Sequence, residues 1–232
     1  MKTAAPRKLG RVLESKEPLK RSFDDYRQFV QQHYDGLPGA LTAITGWLTG
    51  HEPLAARLFR PGAFDIRGRK HILDAGCGNG RHTQHLIKEA DVDAIITAFD
   101  YSQGMLNRAR KRPGALRANH VAADITRLPY ADRSFDATVC GWVLEHLPDE
   151  RAGLAELARV LQPGAKMLLM VTEDTFQGAV CSRLWHCKTY NRAKLRRTCA
   201  ICGLGWYREF WFSRPHAWLR LGGIIVELVR ED

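Results

Sequence analysis

The stretch ILDAGCGNG, residues 72–80, constrains the fold of this chain more than any other. It places an apolar run before an acid and three glycines, Gly76, Gly78 and Gly80. Glycines leave the backbone bare, so a ligand can lie directly against it. An apolar strand, a glycine-rich turn and a helix form the first unit of a doubly wound nucleotide-binding sheet. The stretch therefore predicts a ligand site at the carboxyl end of a first strand. The stretch alone does not distinguish a dinucleotide ligand from a ligand without phosphate.

The chain after residue 70 alternates between strand-like and helix-like segments. Strands are predicted over residues 71–75, 94–99, 117–123, 135–143, 166–171, near 206–212 and over 222–229, and helices over 80–90, 102–112, 149–161 and near 191–201. Strands that alternate with helices indicate a parallel sheet with helices on both faces. We therefore predict an α/β fold with a doubly wound, mostly parallel seven-stranded sheet.

The first 69 residues have a different pattern. Residues 1–21 indicate a basic flexible arm, with seven Lys or Arg against two Glu. Ser22 followed by Asp25 is typical of a helix N-cap with an acid at the third position. Apolar and aromatic residues then recur at helical spacing. We expect residues 22–69 to be mostly helical and residues 70–232 to form one domain.

The net charge of +10 is concentrated in two places. Residues 1–21 carry a net charge of +5 and residues 181–200 carry +6, whereas the segment that holds the glycines is nearly neutral. Such clusters suit RNA, an anionic membrane surface or an acidic substrate, and the alternative is ordinary solvated charge. No apolar run approaches the ~20 residues of a membrane span, and the N-terminus lacks the apolar core of a secretory signal. We therefore expect a cytoplasmic protein without a transmembrane segment.

The six cysteines are expected to be reduced thiols in such a protein. Cys77 and Cys140 fall in apolar runs and are expected to be small core residues. Cys199 and Cys202 form a single CxxC, with Cys181 and Cys187 upstream. One CxxC without a second at the proper spacing is a weak metal or redox signal. We predict no metal site.

Three features bear on the ligand of the glycine loop. Asp100 ends the second predicted strand, 20 residues after Gly80, and a carboxylate there can accept both hydroxyls of a ribose. Position 81 is Arg, so the glycine spacing that serves a dinucleotide pyrophosphate is absent. Asp124 and Ile125 follow the third strand, where an acid can accept a hydrogen bond from an adenine amino group. A nucleoside without a pyrophosphate fits these features better than NAD.

The segment LPYADRSFDATVCGWVLEHLPDERAGLAELARVLQPGAKMLLMV, residues 128–171, extends this pattern. Together with the glycine loop, Asp100 and Asp124, it resembles the class I S-adenosylmethionine-dependent methyltransferases, in particular those with a methyltransferase type 11 domain. The resemblance covers roughly residues 70–172. It implies a Rossmann-like class I fold, S-adenosylmethionine (SAM) as cofactor with S-adenosylhomocysteine as product, a helical lid over residues 22–69 and an acceptor-recognition insert at about 173–195.

The resemblance also implies how this chain would hold SAM. The methionyl end would be held by Asp74 and the loop residues Gly76, Cys77, Gly78 and Gly80. Asp100 would hold the ribose, and the nucleoside would be flanked by Tyr101, Ser102 and Met105. Asp124 and Ile125 would contact the adenine, and Cys140 and Gly141 would lie under the sulfonium. Structural alternatives stand beside these roles. The glycines can serve a tight turn, the acids can stabilise turns, and Met105 can fill the core.

Methyl transfer is an in-line displacement, for which alignment and desolvation supply most of the acceleration. A base is needed only when the acceptor must lose a proton. The candidates are His146, which follows the fourth strand, and Tyr26 and Tyr34 on the first helix of the lid. The alternative for each is packing or capping. Trp142 is bulkier than the family pattern leads us to expect, and it either floors the substrate pocket or fills the core.

The resemblance implies an enzyme that transfers a methyl group from SAM to a small-molecule acceptor of hydrophobic or anionic character. The first alternative is an RNA methyltransferase, similar to tRNA wobble-uridine enzymes, which the two basic clusters favour. The second is a non-catalytic SAM-binding regulatory protein. Salt-sensitive binding would support RNA, because phosphate contacts release counterions.

Overall fold

The fold was analysed in a computed structural model, which describes Ser22, Asp24, Asp25, Gln28 and Gln32 and residues 56–60, 62–185, 187–211, 214–219 and 223–232. The strands are β1 (His71–Ala75), β2 (Ile95–Asp100), β3 (Ala118–Ala122), β4 (Phe135–Gly141), β5 (Leu161–Val171), β6 (Leu204–Glu209) and β7 (Ile224–Arg230). The helices that follow β1 are α1 (Arg81–Glu89), α2 (Gln103–Ala109), α3 (Glu150–Val160), α4 (Phe176–Trp185), α5 (Arg192–Ile201) and α6 (Arg214–Leu219), with 3₁₀ turns at Ala115–Arg117 and Leu144–His146.

The seven strands form one sheet in the order β3-β2-β1-β4-β5-β7-β6. Strands β1 to β5 pair in parallel, whereas β7 runs antiparallel to both β5 and β6. The predicted doubly wound, mostly parallel sheet is therefore confirmed. The carboxyl ends of β1 to β6 and the beginning of β7 lie together, and we call this end the carboxyl end of the sheet.

Both faces of the sheet are buried, which explains why the central strands are apolar throughout. Leu73 and Ala75 of β1 belong to a core on one face, and Ile72 belongs to the core on the other. Successive side chains of a strand point to opposite faces, so a strand with helices on both sides has no polar alternation. The run HILDA therefore suits the centre of the sheet, and Asp74 is its one buried charge-bearing residue.

The structure corrects several predicted boundaries after β3. Helix α3 ends at Val160, and β5 begins directly at Leu161 and runs through Pro163 and Gly164. Its pairing with β4 is irregular there, since Phe135 faces Leu161 whereas Ala137 faces Lys166. Strand β4 ends at Gly141 instead of 143. The helices α4 and α6 were not predicted, because neither has a strong apolar periodicity.

Only a small part of the expected arm and lid belongs to the described residues. The predicted N-cap is confirmed, since Ser22 Oγ accepts the backbone N–H of Asp25 at 3.1 Å and the Asp25 carboxylate accepts the N–H of Ser22 at 3.1 Å. Tyr26, Tyr34 and the whole 1–21 arm lie outside the described residues. The lid over residues 22–69 stays a prediction.

All six cysteines are described, and each is a free thiol. Cys77 and Cys140 are buried, as predicted for small core residues. Cys199 is fully buried in α5, so the first cysteine of the CxxC belongs to the core. Within the described parts of the chain, no three His, Cys, Asp or Glu side chains are grouped to hold a metal ion. None of the described helices is both long and apolar enough to cross a membrane.

Candidate functional site

A cavity of about 200 Å³ lies at the carboxyl end of the sheet. Its walls come from the loop after β1, from the ends of β2 and β4 and from the segment after β3, as expected for the ligand site of a doubly wound sheet. Nine of the predicted site residues line it: Gly76, Cys77, Gly78, Asp100, Tyr101, Met105, Ile125, Gly141 and His146. The cavity is also lined by six residues for which no site role was predicted: Asn79, Arg81, His82, Phe99, Ala123 and Val143.

Asp100 ends β2 and faces the cavity. Its Oδ2 accepts the backbone N–H of Gly78 at 2.7 Å, and its Oδ1 accepts the backbone N–H of Ser102 at 2.8 Å. A carboxylate oxygen can accept more than one hydrogen bond, so a group of this kind suits the hydroxyls of a ligand. The residue predicted to hold a ribose therefore also fixes the shape of the glycine loop.

Asp74 is fully buried near the end of β1 and does not itself line the cavity. Its Oδ2 accepts the hydroxyl of Thr83 at 2.6 Å, whereas its Oδ1 is buried with no hydrogen-bond partner among the described residues. Burial, opposed by the hydrogen bond from Thr83 and assisted by the nearby Asp100 charge, raises the pKa of Asp74 to about 7. A buried acceptor without a donor is costly, so this oxygen is a natural partner for a cationic or N–H-bearing ligand.

Two glycines let other side chains approach the cavity wall closely. A Cβ on Gly76 would lie 2.3 Å from Val143 Cγ2, and φ of Gly76 is 67°. A Cβ on Gly141 would lie 2.4 Å from Cε1 of His82 and 3.0 Å from the terminal methyl of Met170. The sequence motif therefore has a packing reason as well as a ligand reason, since neither position has room for a side chain.

His82 and Trp142 form a stacked pair at this wall, with ring centroids 5.9 Å apart and planes at 24°. Burial, with help from the charges of Arg81 and His85, lowers the pKa of His82 to about 3, so its imidazole is neutral. Trp142 has φ of 56°, which is uncommon for a bulky residue and marks a backbone held by its surroundings. The backbone N–H of Trp142 donates to the backbone carbonyl of Met170 at 2.7 Å.

Trp142 also lines a second cavity of about 40 Å³, so it lies between two spaces. The other walls of this smaller cavity come from the segment after β5, from α4 and from the beginning of β7: Thr172, Glu173, Thr175, Gln177, Gly178, Cys181 and Gly223. Of the two roles expected for Trp142, the pocket wall is therefore the one its position favours. It also packs against the core on the same face as Ile72.

His146 lines the main cavity from the 3₁₀ turn that follows β4. The preceding residue, Glu145, anchors this turn by accepting the N–H of Thr172 at 2.8 Å and its hydroxyl at 3.1 Å. Burial raises the pKa of Glu145 to about 7, against the hydrogen bonds from Thr172 and Cys187. The Tyr190 hydroxyl donates to the carbonyl of Leu144 at 2.8 Å, which fixes the same turn to the segment before α5.

Some predicted site residues support the cavity without lining it. Ser102 caps α2 by accepting the N–H of Met105 at 3.1 Å, and Gly80 precedes α1 with φ of 81°. Oδ1 of Asp124 accepts the N–H and the hydroxyl of Thr126 at 2.8 and 2.7 Å. Cys140 is buried beside them at the end of β4, and burial raises the pKa of its thiol.

Comparison with known proteins identifies the domain that carries this cavity. Residues 73–169 match a protein-family model described as a methyltransferase domain. The demethylmenaquinone methyltransferase of Corynebacterium glutamicum (strain R) is 37% identical over 103 residues, 44% of this chain and 42% of the relative. The chain thus spans less than half the length of that curated relative.

Two solved structures share the fold of the methyltransferase domain and its C-terminal extension. A Haloferax volcanii methyltransferase, solved in complex with the Trm112 methyltransferase activator, has a TM-score of 0.71 and 18% identity and covers 88% of this chain and 98% of its own. The magnesium protoporphyrin IX methyltransferase of Synechocystis PCC 6803 with bound SAM has a TM-score of 0.65 and 18% identity, with 89% and 97% covered. The fold is therefore the Rossmann-like class I methyltransferase fold.

Proposed function

We propose that this protein transfers a methyl group from SAM to a small, hydrophobic acceptor. The observation that carries the proposal is the meeting of the glycine loop and Asp100 at one cavity of a methyltransferase domain. Both the sulfonium and the ammonium of SAM are cations, and its ribose offers two hydroxyl donors. Carboxylates and bare backbone suit these groups. A carboxylate attracts the cations, and carboxylate and carbonyl oxygens accept hydrogen bonds from the hydroxyls.

The residues present fit SAM at the positions that the sequence indicates. Asp74 does not line the cavity, but its Oδ1 is a buried acceptor without a partner among the described residues, directly before the glycine loop that does line it. Asp100 faces the cavity, and its carboxylate is the kind of acceptor that ribose hydroxyls require. Met105 and Ile125 supply apolar walls beside them, as a purine ring requires. We infer that these four residues hold the donor, while Gly76, Cys77 and Gly78 approach it with backbone.

SAM supplies an activated methyl group on a sulfonium that leaves as a neutral thioether. The contribution of the protein is then alignment and exclusion of water, which can supply most of the acceleration. Gly141, Trp142 and Val143 form the wall where β4 ends, and their close packing supports a fixed position for the methyl group. His146 is the proposed proton acceptor for acceptors that carry a proton on the reacting atom.

The acceptor class is inferred from the walls and from the relatives. Trp142 and Val143 present apolar surface at the cavity, and the stacked ring of Trp142 suits a flat, apolar acceptor. The relatives described above are named for two small-molecule acceptors, demethylmenaquinone and magnesium protoporphyrin IX. We propose a lipid-soluble, ring-bearing acceptor.

The test uses SAM labelled in its methyl group, the purified protein and a cell extract separated into organic-soluble, small polar and RNA fractions. We expect label in the organic-soluble fraction, insensitive to ribonuclease, and less label with Asp100→Ala at the same subsaturating donor concentration. Ribonuclease-sensitive label would replace the proposal with RNA methylation. Donor binding in calorimetry without transfer to any fraction would indicate a non-catalytic SAM-binding protein.

A further inference from the structure

Residues 176–223 differ in composition from the rest of the chain. They hold nine Lys or Arg against one acid, Glu209, and four of the six tryptophans of the protein. Tryptophan is enriched where proteins meet the interface of a bilayer, and Lys and Arg are attracted to anionic headgroups. The question is where the fold places these residues.

Two helices of this segment lie at the carboxyl end of the sheet, beside the candidate site. Helix α4 follows the carboxyl end of β5. Helix α6 precedes β7, whose first residue, Ile224, pairs with Val171 at the end of β5. Both helices therefore lie at the end of the sheet where the cavities open.

Helix α4 presents an apolar and basic face to solvent. Phe176 is 78% exposed and Val180 is 43% exposed, and Arg183 is exposed as well. These residues are spaced at i, i+4 and i+7, so they share one face of the helix. The exposed phenylalanine and valine give this face apolar surface, and the arginine gives it a positive charge that anionic headgroups attract.

Helix α6 repeats the pattern on a shorter length. Trp218 is 85% exposed and Arg214, four residues before it, is exposed. Residues four apart lie on the same face of a helix. The described residues of α4 and α6 contain no acid that would repel an anionic surface.

We propose that α4 and α6 form a docking surface, defined by Phe176, Val180, Arg183, Arg214 and Trp218, for an anionic lipid bilayer. The apolar side chains enter the interface, where they lose contact with water, and the two arginines pair with lipid phosphates. RNA is held chiefly by cations that contact its phosphates, whereas here three apolar side chains, Phe176, Val180 and Trp218, accompany only two arginines.

The docking surface extends the proposed function and rests on it in one respect, the lipid-soluble acceptor. Gln177, Gly178 and Cys181 of α4 line the smaller cavity, and Trp142 lines both this cavity and the proposed donor cavity. A bilayer against α4 would therefore deliver an acceptor next to the wall where the methyl group is placed. Vesicle binding and donor binding are measured separately, so that either inference can fail alone.

The experiment is flotation of the full-length protein with phosphatidylcholine vesicles that contain or lack phosphatidylglycerol. The triple variant F176S/V180S/W218S removes the apolar contacts, and R183Q/R214Q removes the charges. Two variants serve as controls. V92S/I201S removes two apolar side chains that are 91% and 76% exposed at the opposite end of the sheet, and K88Q/K111Q removes two positive charges outside the docking surface. Circular dichroism and calorimetric SAM titration check that each variant folds and binds the donor.

We expect binding to anionic vesicles that falls at least about tenfold in the triple variant and roughly fivefold for each arginine removed. The controls should bind like the wild type, and donor affinity should stay within about twofold throughout. Failure of the wild type to float, or equal losses in the triple variant and in V92S/I201S, would overturn the proposal. So would arginine-dependent binding to RNA without vesicle binding, or vesicle binding abolished only by deletion of residues 1–21. If the wild type bound vesicles but did not bind SAM, the result would contradict only the proposed function.

Discussion

Asp100 and Gly78 are joined by a hydrogen bond of 2.7 Å between the carboxylate Oδ2 and the backbone nitrogen. The bond ties the end of β2 to the loop that follows β1, two neighbouring strands of the sheet. The carboxylate therefore has two tasks, to shape the glycine loop and to present acceptors to the cavity. A change at Asp100 should affect donor binding through both.

Asp100→Ala should weaken SAM binding by about 1–3 kcal/mol, because it leaves hydrogen-bonding groups without partners. Asp100→Asn keeps the size of the side chain and one acceptor, so its loss should be smaller. Isothermal titration calorimetry measures both. Asp93→Ala is the matched control, since Asp93 is exposed and pairs with Lys70 at the other end of the sheet. Equal donor affinity in the wild type and in Asp100→Ala would refute the ribose assignment.

The pH dependence of stability should carry a contribution from Asp74. Burial raises its pKa in the folded protein from 3.8 to about 7. Between these two values the unfolded chain has released a proton that the folded protein keeps, so the free energy of unfolding falls as pH rises from about 4 to about 7. Glu145, whose pKa is also raised to about 7, contributes in the same direction.

Asp74→Asn isolates this contribution, because His82 acts in the opposite direction. The pKa of His82 is lowered to about 3, so it adds stability as pH rises from about 3 to 6.5. His82 contributes equally to the free energy of unfolding of the wild type and of Asp74→Asn, so its contribution cancels in the difference between the two proteins. We expect that difference to move in favour of the variant between about pH 4 and about pH 7. A difference independent of pH would show that Asp74 is ionised throughout.

The sequence predicted the parts of the site that local pattern determines. The glycine loop, Asp100 at the end of a strand and the alternation of strands with helices are all short-range signals, and each lies where predicted. His82 was missed because its position in α1 looks like an ordinary helix interior. Its place at the cavity depends on Gly141 at the end of β4, which leaves room for the imidazole. A contact between a helix and a strand so far apart in the chain produces no periodicity in the sequence.

The backbone of Trp142 offers a second test, because its φ of 56° lies in the left-handed region. Glycine adopts this region freely, whereas other residues pay about 1–2 kcal/mol. Trp142→Gly should therefore be more stable to urea than Trp142→Ala by about 1 kcal/mol, the reverse of the usual order. Arg133 is the control without a cavity, because it has φ of 57° and lies in an exposed turn. Arg133→Gly should likewise be more stable to urea than Arg133→Ala. If alanine were the more stable replacement at Trp142 alone, the left-handed backbone there would be wrong.

Gly76 and Gly78 separate the cost of backbone conformation from the cost of crowding. Both have positive φ, 67° and 54°, but only Gly76 has a neighbour, Val143, where a Cβ would lie. Gly78→Ala should cost about 1–2 kcal/mol of stability from the left-handed backbone, and Gly76→Ala should cost about 1–3 kcal/mol more from overpacking.

The double variant Gly76→Ala/Val143→Ala makes the cause of that excess measurable. Removing the valine methyls makes room for the new Cβ, so the two substitutions should be less than additive, with an interaction energy of about 1 kcal/mol or more. Val143→Ala combined with Gly78→Ala should instead be additive, because nothing lies within 4 Å of a Cβ on Gly78. Additivity in both pairs would mean that the loop moves away from Val143, and the close wall inferred for the methyl-transfer site would then be absent.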